Sequence, residues 1–186
     1  AAEAAIMNPV SKVIALRAGQ TMQIFNTEMK TKVKSFKLPD GVSVVFWCWI
    51  NSNTIAIVTN TSVFHWSMEG TADPKKMFDR HQVLNGSQVI NYQASADGKW
   101  LLVVGISKGQ NNQINGNMQL YSVNKKVSQA LQGHAGTFAQ ITRPGESAPR
   151  NVFCFIEKKA GAQPRLFVME VGKEKDAAGG VFKIKP

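Results

Sequence analysis

Cysteine is nearly absent from this chain. Cys48 and Cys154 are its only two, too few for a disulfide framework, and each lies in an apolar run, VVFWCWI and NVFCFIE. Two buried thiols in a reducing compartment are expected, and with them a cytosolic protein. Histidine is as scarce: His65, His81 and His134 stand far apart with no HExxH or CxxC companion, so no metal-ligand pattern is present. No apolar run nears the ~18 residues of a membrane span, the densest being residues 44–50. The opening AAEAAIMNP lacks the basic stretch and long apolar core of a secretory signal. Long 3.6-residue periodicity is missing too, which argues against a helical or alternating helix-strand fold.

Acidic residues are also in short supply, 12 against 22 basic ones, for a formal charge of +10. Such an excess favours acidic partners: nucleic acid, anionic lipid or acidic peptide segments. Single-strand binders interleave cations with exposed aromatics. Here the aromatics sit in apolar company, as in FWCWI and VFHW, and the lysines are scattered, so no nucleic-acid partner is expected.

What the chain does have is a repeat. KVIALRAGQTMQIFNTEMKTKVKSF, NTIAIVTNTSVFHWSMEG, KWLLVVGISKGQNNQINGNMQLYSVNKKVSQAL and RNVFCFIEKKAGAQPRLFVMEVGKEK share one plan. Each has a short β-branched or apolar run, a polar turn, then an alternating run. From Ile14 to Ile57, Leu102 and Phe153 the steps are roughly 43 to 51 residues, near the period of propeller blades. Turn residues such as Pro39-Asp40-Gly41 and Ala96-Asp97-Gly98 separate the runs. The expected fold is all-β: a partial β-propeller of four-stranded blades, one domain over 1–186, with blades at roughly 8–38, 42–86, 87–133 and 134–186. The abrupt start, and an end at FKIKP within a further strand, predict a fragment with blades missing at both ends.

Catalytic chemistry is hard to find. There is no GxSxG elbow, and GISKGQNNQ lacks the lysine-serine ending of a phosphate loop. His65 reads as a packed histidine. Asp79, Arg80 and His81 are consecutive and cannot converge on one point in extended chain, so a turn held by its own side chains is expected. No catalytic residue, no metal and no cofactor are predicted; the chain is not read as an enzyme.

The hairpin TMQIFNTEMKTKVKSF is the more informative stretch. Thr21, Gln23 and Phe25 share one strand face, and a tight turn would set Lys30 and Lys32 near Gln23 and Thr21, with Lys34 on the same side. The result would be a shallow groove with an apolar wall and positive charge, suited to an extended peptide of bulky apolar residues with an acidic end. From the residues alone, an ordinary solvated blade edge, whose lysines discourage sheet pairing, is the first reading.

Several motifs in order carry a resemblance over nearly the whole chain: AIMNPVSKVIALRAGQTMQIFNTEMKTKVKSF, VVFWCWI, TSVFHWSMEG, KMFDRH, QVINY, KWLLVVGIS, GNMQLYSVNKKVSQALQGHAGTFAQ and LFVMEVG. Together they resemble the amino-terminal propeller of the clathrin heavy-chain family. The resemblance weakens at NQINGN, at ITRPGESAPRN and after Gly172. It implies part of a seven-bladed, non-enzymatic propeller that recruits adaptor and accessory proteins through short linear motifs during coated-vesicle formation and endocytosis. Light chains and other heavy chains would be partners of the full-length protein. The membrane would be reached only through adaptors, and the place would be cytoplasmic coated pits and vesicles.

By the same resemblance, Ile14, Thr21, Gln23, Phe25, Lys30 and Lys32 match one wall of the family's clathrin-box groove, whose other wall would belong to a missing first blade. Gln88, Ile90 and Ile106 match its W-box pocket, which takes tryptophan-containing peptides. Leu120, Lys125 and Gln129 match its arrestin-type groove, where family members have arginine at the Lys125 position; lysine keeps the charge but loses the bidentate fork. The rival reading is an architectural propeller whose lysines meet anionic lipid or nucleic acid nonspecifically.

Overall fold

The computed structural model describes residues 2–142, 144–145, 147–159 and 161–171. The strand expected near residues 181–186 lies outside them. Fifteen strands occur among the described residues, in four antiparallel sheets. The first sheet holds β1 (Ala4–Met7), β2 (Val13–Ala18), β3 (Thr21–Asn26) and β4 (Thr31–Lys37), and the second β5 (Val44–Trp49), β6 (Thr54–Thr59), β7 (Ser62–Ser67) and β8 (Lys75–Asp79). The third holds β9 (Gln88–Ala94), β10 (Trp100–Lys108), β11 (Ile114–Ser122) and β12 (Val127–Gln132), and the fourth β13 (Ala135–Ile141), β14 (Arg150–Glu157) and β15 (Arg165–Glu170). Strands adjacent in sequence are adjacent in every sheet, the up-and-down order of a propeller blade. Two 3-10 turns, Gln82–Leu84 and Gln110–Asn112, are the only helical elements among the described residues. The fold is all-β, of propeller blades, as the repeat predicts.

Two compact units divide the chain, Ala1–Arg80 and His81–Pro186. In the first, the alternation of β2 and β3 places Val13, Ala15, Met22 and Ile24 on one face. These pack with Leu38 and with Ile55, Ile57 and Trp66 of the second sheet. Each such aliphatic side chain contributes about 1.5–3 kcal/mol by burial. Polar bonds pin the two sheets as well: Asn8 Nδ2 donates to Ser52 O at 2.7 Å, and Trp49 Nε1 to Ile6 O at 3.3 Å.

In the second unit, Trp100, Leu102, Val104, Met118 and Leu120 of the third sheet meet Phe153, Phe155 and Met169 of the fourth. Phe155 stacks on both Phe153 and Phe167, with ring centroids 5.4 and 4.7 Å away. Central strands β6 and β10 are buried on both faces, which is why they read as continuous apolar runs rather than alternating ones.

Candidate functional site

Residues paired across antiparallel strands share a face, so the register of the first sheet fixes which side chains meet. Ile14 pairs with Met7 on one side and Phe25 on the other, and Phe25 pairs with Lys32. One step along, Leu16 pairs with Gln23, and Gln23 with Ser35; Thr21 pairs with Lys37. This face lies opposite the buried Met22 and Ile24. Ile14, Leu16, Thr21, Gln23 and Phe25 are half-buried on it, and Met7 is 55% exposed. Five of the six residues expected to line one groove wall (Ile14, Thr21, Gln23, Phe25 and Lys32) thus stand side by side.

The lysines depart from the expectation. The ladder slips between Ile24 and Phe25, which pair with Lys34 and Lys32 and leave Val33 as a bulge residue. The extra residue reverses the alternation, so Lys34 turns to the core side. There its Nζ donates to Ser67 O at 2.9 Å and Ala72 O at 3.1 Å, and it lies 5.7 Å from the Trp66 ring centroid. Lys30 is not in a strand. It sits in the turn with φ at 52°, after Asn26 Oδ1 has accepted the N–H groups of Glu28 and Met29 at 3.0 and 2.9 Å. Neither Lys30 nor Lys32 stands opposite Gln23 or Thr21. The cation beside Thr21 is Lys37, which sequence reasoning missed because the bulge that brings it there leaves no local signature.

Gln88 and Ile106 pair directly, and Ile90 is the bulge residue where β9 shifts against β10. Gln88 and Ile106 line a small cavity of about 210 Å³ together with Ser107, Lys108 and Ile114. Ile90 is 39% exposed and outside that lining. The third expected set is split. Leu120 pairs with Gln129, which is half-buried, and Lys125 lies exposed in the β11–β12 turn. Leu120 itself is fully buried in the core; it supports that hairpin from beneath and offers no contact surface.

Asp79, Arg80 and His81 take three separate local roles. Asp79 Oδ1 accepts from Ser62 Oγ at 2.7 Å and pairs with Lys76, whose hydrogen bond, ahead of that from Ser62, holds the carboxyl below its ordinary range. Arg80 Nη1 donates to Thr59 O and Asn60 O, each at 3.2 Å. His81 Nδ1 accepts the Val83 N–H at 3.1 Å, capping the 3-10 turn. Burial holds the His65 imidazole down to about 4 and pushes the Cys48 thiol up to about 11. Among the described residues no group of three or more His, Cys, Asp or Glu could hold a metal. Among the described residues no helix is long and apolar enough to cross a membrane.

Residues 84–124, which run from the 3-10 turn to the end of the β10–β11 hairpin, match the clathrin propeller repeat. Clathrin heavy chain 2 of Homo sapiens is 53% identical over 173 residues, which is 92% of this chain. The clathrin heavy chain of Drosophila melanogaster is 54% identical over the same share of the chain. The chain belongs to the clathrin heavy-chain family. Similarity extends to plants: clathrin heavy chain 2 of Oryza sativa subsp. japonica is 42% identical over 96% of the chain. The chain spans about a tenth of the length of these relatives, 10 to 11%.

Proposed function

We propose that this clathrin-family chain is a non-enzymatic peptide-binding module of the clathrin coat. Its four sheets act as propeller blades. It recruits adaptor and accessory proteins through short acidic and apolar linear motifs, at cytoplasmic coated pits and vesicles during endocytosis and intracellular transport. Light chains and further heavy chains are its partners within the full-length protein, and the membrane is reached through adaptors.

What supports this reading above all is the shared face of Ile14, Phe25, Gln23, Thr21 and Lys32 on the first sheet. Half-buried Ile14 and Phe25 offer an apolar floor. The Gln23 amide can hold a peptide backbone through one donor and one acceptor, and Lys32 and Lys37 stand along one side as cations. A buried leucine on the ligand is worth about 1.5–3 kcal/mol and an exposed charge pair about 0.2–1 kcal/mol. Apolar anchors therefore dominate affinity, while the lysines set direction and salt sensitivity. Single sites of this kind bind weakly, and many copies on a coat supply avidity.

The test is a fluorescence-anisotropy titration with an extended peptide of alternating leucines and an acidic end. Gln23→Ala combined with Lys32→Glu weakens binding and leaves the melting temperature unchanged. An unaltered affinity removes the assignment. Binding that ignores peptide sequence, collapses with salt and is matched by an oligonucleotide supports the nonspecific polyanion reading instead.

A further inference from the structure

A second, larger cleft lies within the second unit, about 810 Å³ in volume. One wall is the chain entering β11, with Gln113, Ile114 and Asn115, and the other is the β14–β15 turn, with Glu157, Lys158 and Lys159. Gly116 and His134 also line it. Gly116 carries no side chain to fill the space, and a Cβ there would overlap the Gly133 carbonyl. His134 ties the walls together: its Nε2 lies 2.9 Å from Ile114 O, and its Nδ1 accepts the Lys158 N–H at 3.3 Å. With the carbonyl as acceptor, Nε2 carries the proton and Nδ1 is free to accept. The cleft opens at the start of β11, whereas Lys125 lies in the turn after that strand ends, so it is separate from the hairpin end that holds Lys125.

The lining selects a ligand by chemistry. The carboxamides of Gln113, Asn115 and Gln132 make no hydrogen bond among the described residues. Each offers one acceptor and a pair of donors, complementary to a peptide backbone. Glu157 is engaged with Lys159 at 3.6 Å. Lys158 has no ion-pair partner among the described residues and leaves the cleft one uncompensated positive charge. Ile114, 59% exposed, is an aliphatic contact at the mouth. No Phe, Tyr or Trp lines the cleft, so the stacking platform that a single-strand binder offers a nucleobase is limited to the His134 ring. Two exposed lysines on a turn do not make the converging donor set that a phosphate requires.

We infer that this cleft is a second peptide site, which takes an extended segment bearing a carboxylate beside a small aliphatic residue. It stands independently of the first-sheet reading, since no residue is shared.

The experiment is a nitrogen-15 NMR titration of the 186-residue chain with the acetylated, amidated peptide Glu-Leu-Asn-Glu-Gly, run beside its twin with glutamine for each glutamate. The acidic peptide shifts the backbone amides of Asn115, Gly116, His134 and Lys158, and the twin binds more weakly. Lys158→Glu lowers the affinity about fivefold, Lys158→Gln does so by less, and Lys32→Glu leaves it unchanged. The inference is overturned if no cleft amide moves up to about 1 mM peptide, if both Lys158 variants bind as tightly as the parent, or if the twin binds equally. It is also overturned if a short oligonucleotide or phosphatidylserine vesicles produce the same shifts, which would mark a general polyanion surface. Loss of the first-sheet site alone, with the cleft intact, would sink only the earlier reading.

Discussion

Gly133 donates its N–H to the Gly116 carbonyl at 3.0 Å, and neither position has room for a side chain. The obstacles differ. At Gly116 an added Cβ meets the Gly133 backbone carbonyl, whereas at Gly133 it meets the far end of the Met118 side chain. A backbone cannot swing aside as a thioether can. Gly116→Ala therefore destabilises the chain by about 3 kcal/mol, the upper end of ordinary overpacking, and Gly133→Ala by about 1 kcal/mol. Urea unfolding of the two variants measures the difference; equal midpoints would show that the strand crossing relaxes freely.

Lys32 and Lys34 are two residues apart and do opposite things. Lys34 places its ammonium on two carbonyl oxygens, Ser67 O and Ala72 O, on the core side of the bulge. Lys32 is exposed and pairs with Phe25 on the proposed peptide face. Lys34→Met costs about 1–2 kcal/mol, because it leaves charge-assisted bonds unmade, and does not change peptide affinity. Lys32→Met alters stability by less than about 0.5 kcal/mol and weakens the acidic peptide. Thermal melts and anisotropy titrations on the pair separate the roles, and a swap of these two outcomes would place the bulge elsewhere.

That pair also marks where sequence reading stops. The strands were legible because short β-branched runs between turn residues are the cheapest way to bury both faces of a central strand, as β6 and β10 do. Which residues share a face follows from period two only while the ladder is regular. A single bulge residue, Val33 in β4, reverses the count, so Lys34 stands on the side opposite to the one that regular alternation predicts. Leu120 was matched to a groove from a family pattern, and only packing against the fourth sheet reveals that it is sealed in. The cleft at Gly116 had no signal of its own, since it depends on a close approach between strand ends that are distant in sequence. A glycine inside long strand β11 and the Gly133-His134 pair at the end of β12 were the available hints.

His65 gives the fold an acid sensitivity. Burial holds its imidazole down to about 4 against an ordinary 6.5. Between those values the unfolded chain binds a proton that the folded chain does not, so protons favour unfolding. The contribution is whole above pH 6.5, shrinks as the pH falls toward 4, and levels off once both states are protonated. The swing is about 3 kcal/mol. Carboxylates titrate in part of the same range, so the informative quantity is the difference between the parent and His65→Gln. Urea midpoints near neutrality and at about pH 4.5 fall less in the variant than in the parent; parallel losses would mean His65 is protonated in the folded state.

Cys48 lies in β5 opposite Ala56, between Trp47 and Trp49. Burial pushes its thiol up to about 11, against an ordinary 9.0, and only the thiolate reacts with alkylating reagents. At mildly alkaline pH the folded chain therefore holds about a hundredfold less Cys48 thiolate than an exposed thiol would. In a Cys154→Ser background, iodoacetamide labels Cys48 about a hundredfold more slowly in the folded chain than in urea, and steric cover adds to the protection. Destabilising the first unit through Lys34→Met then speeds labelling in proportion to the population of opened molecules. Equal labelling rates with and without urea would mean the thiol reaches solvent in the native fold. A rate untouched by Lys34→Met would mean it reacts through local motion of β5 alone.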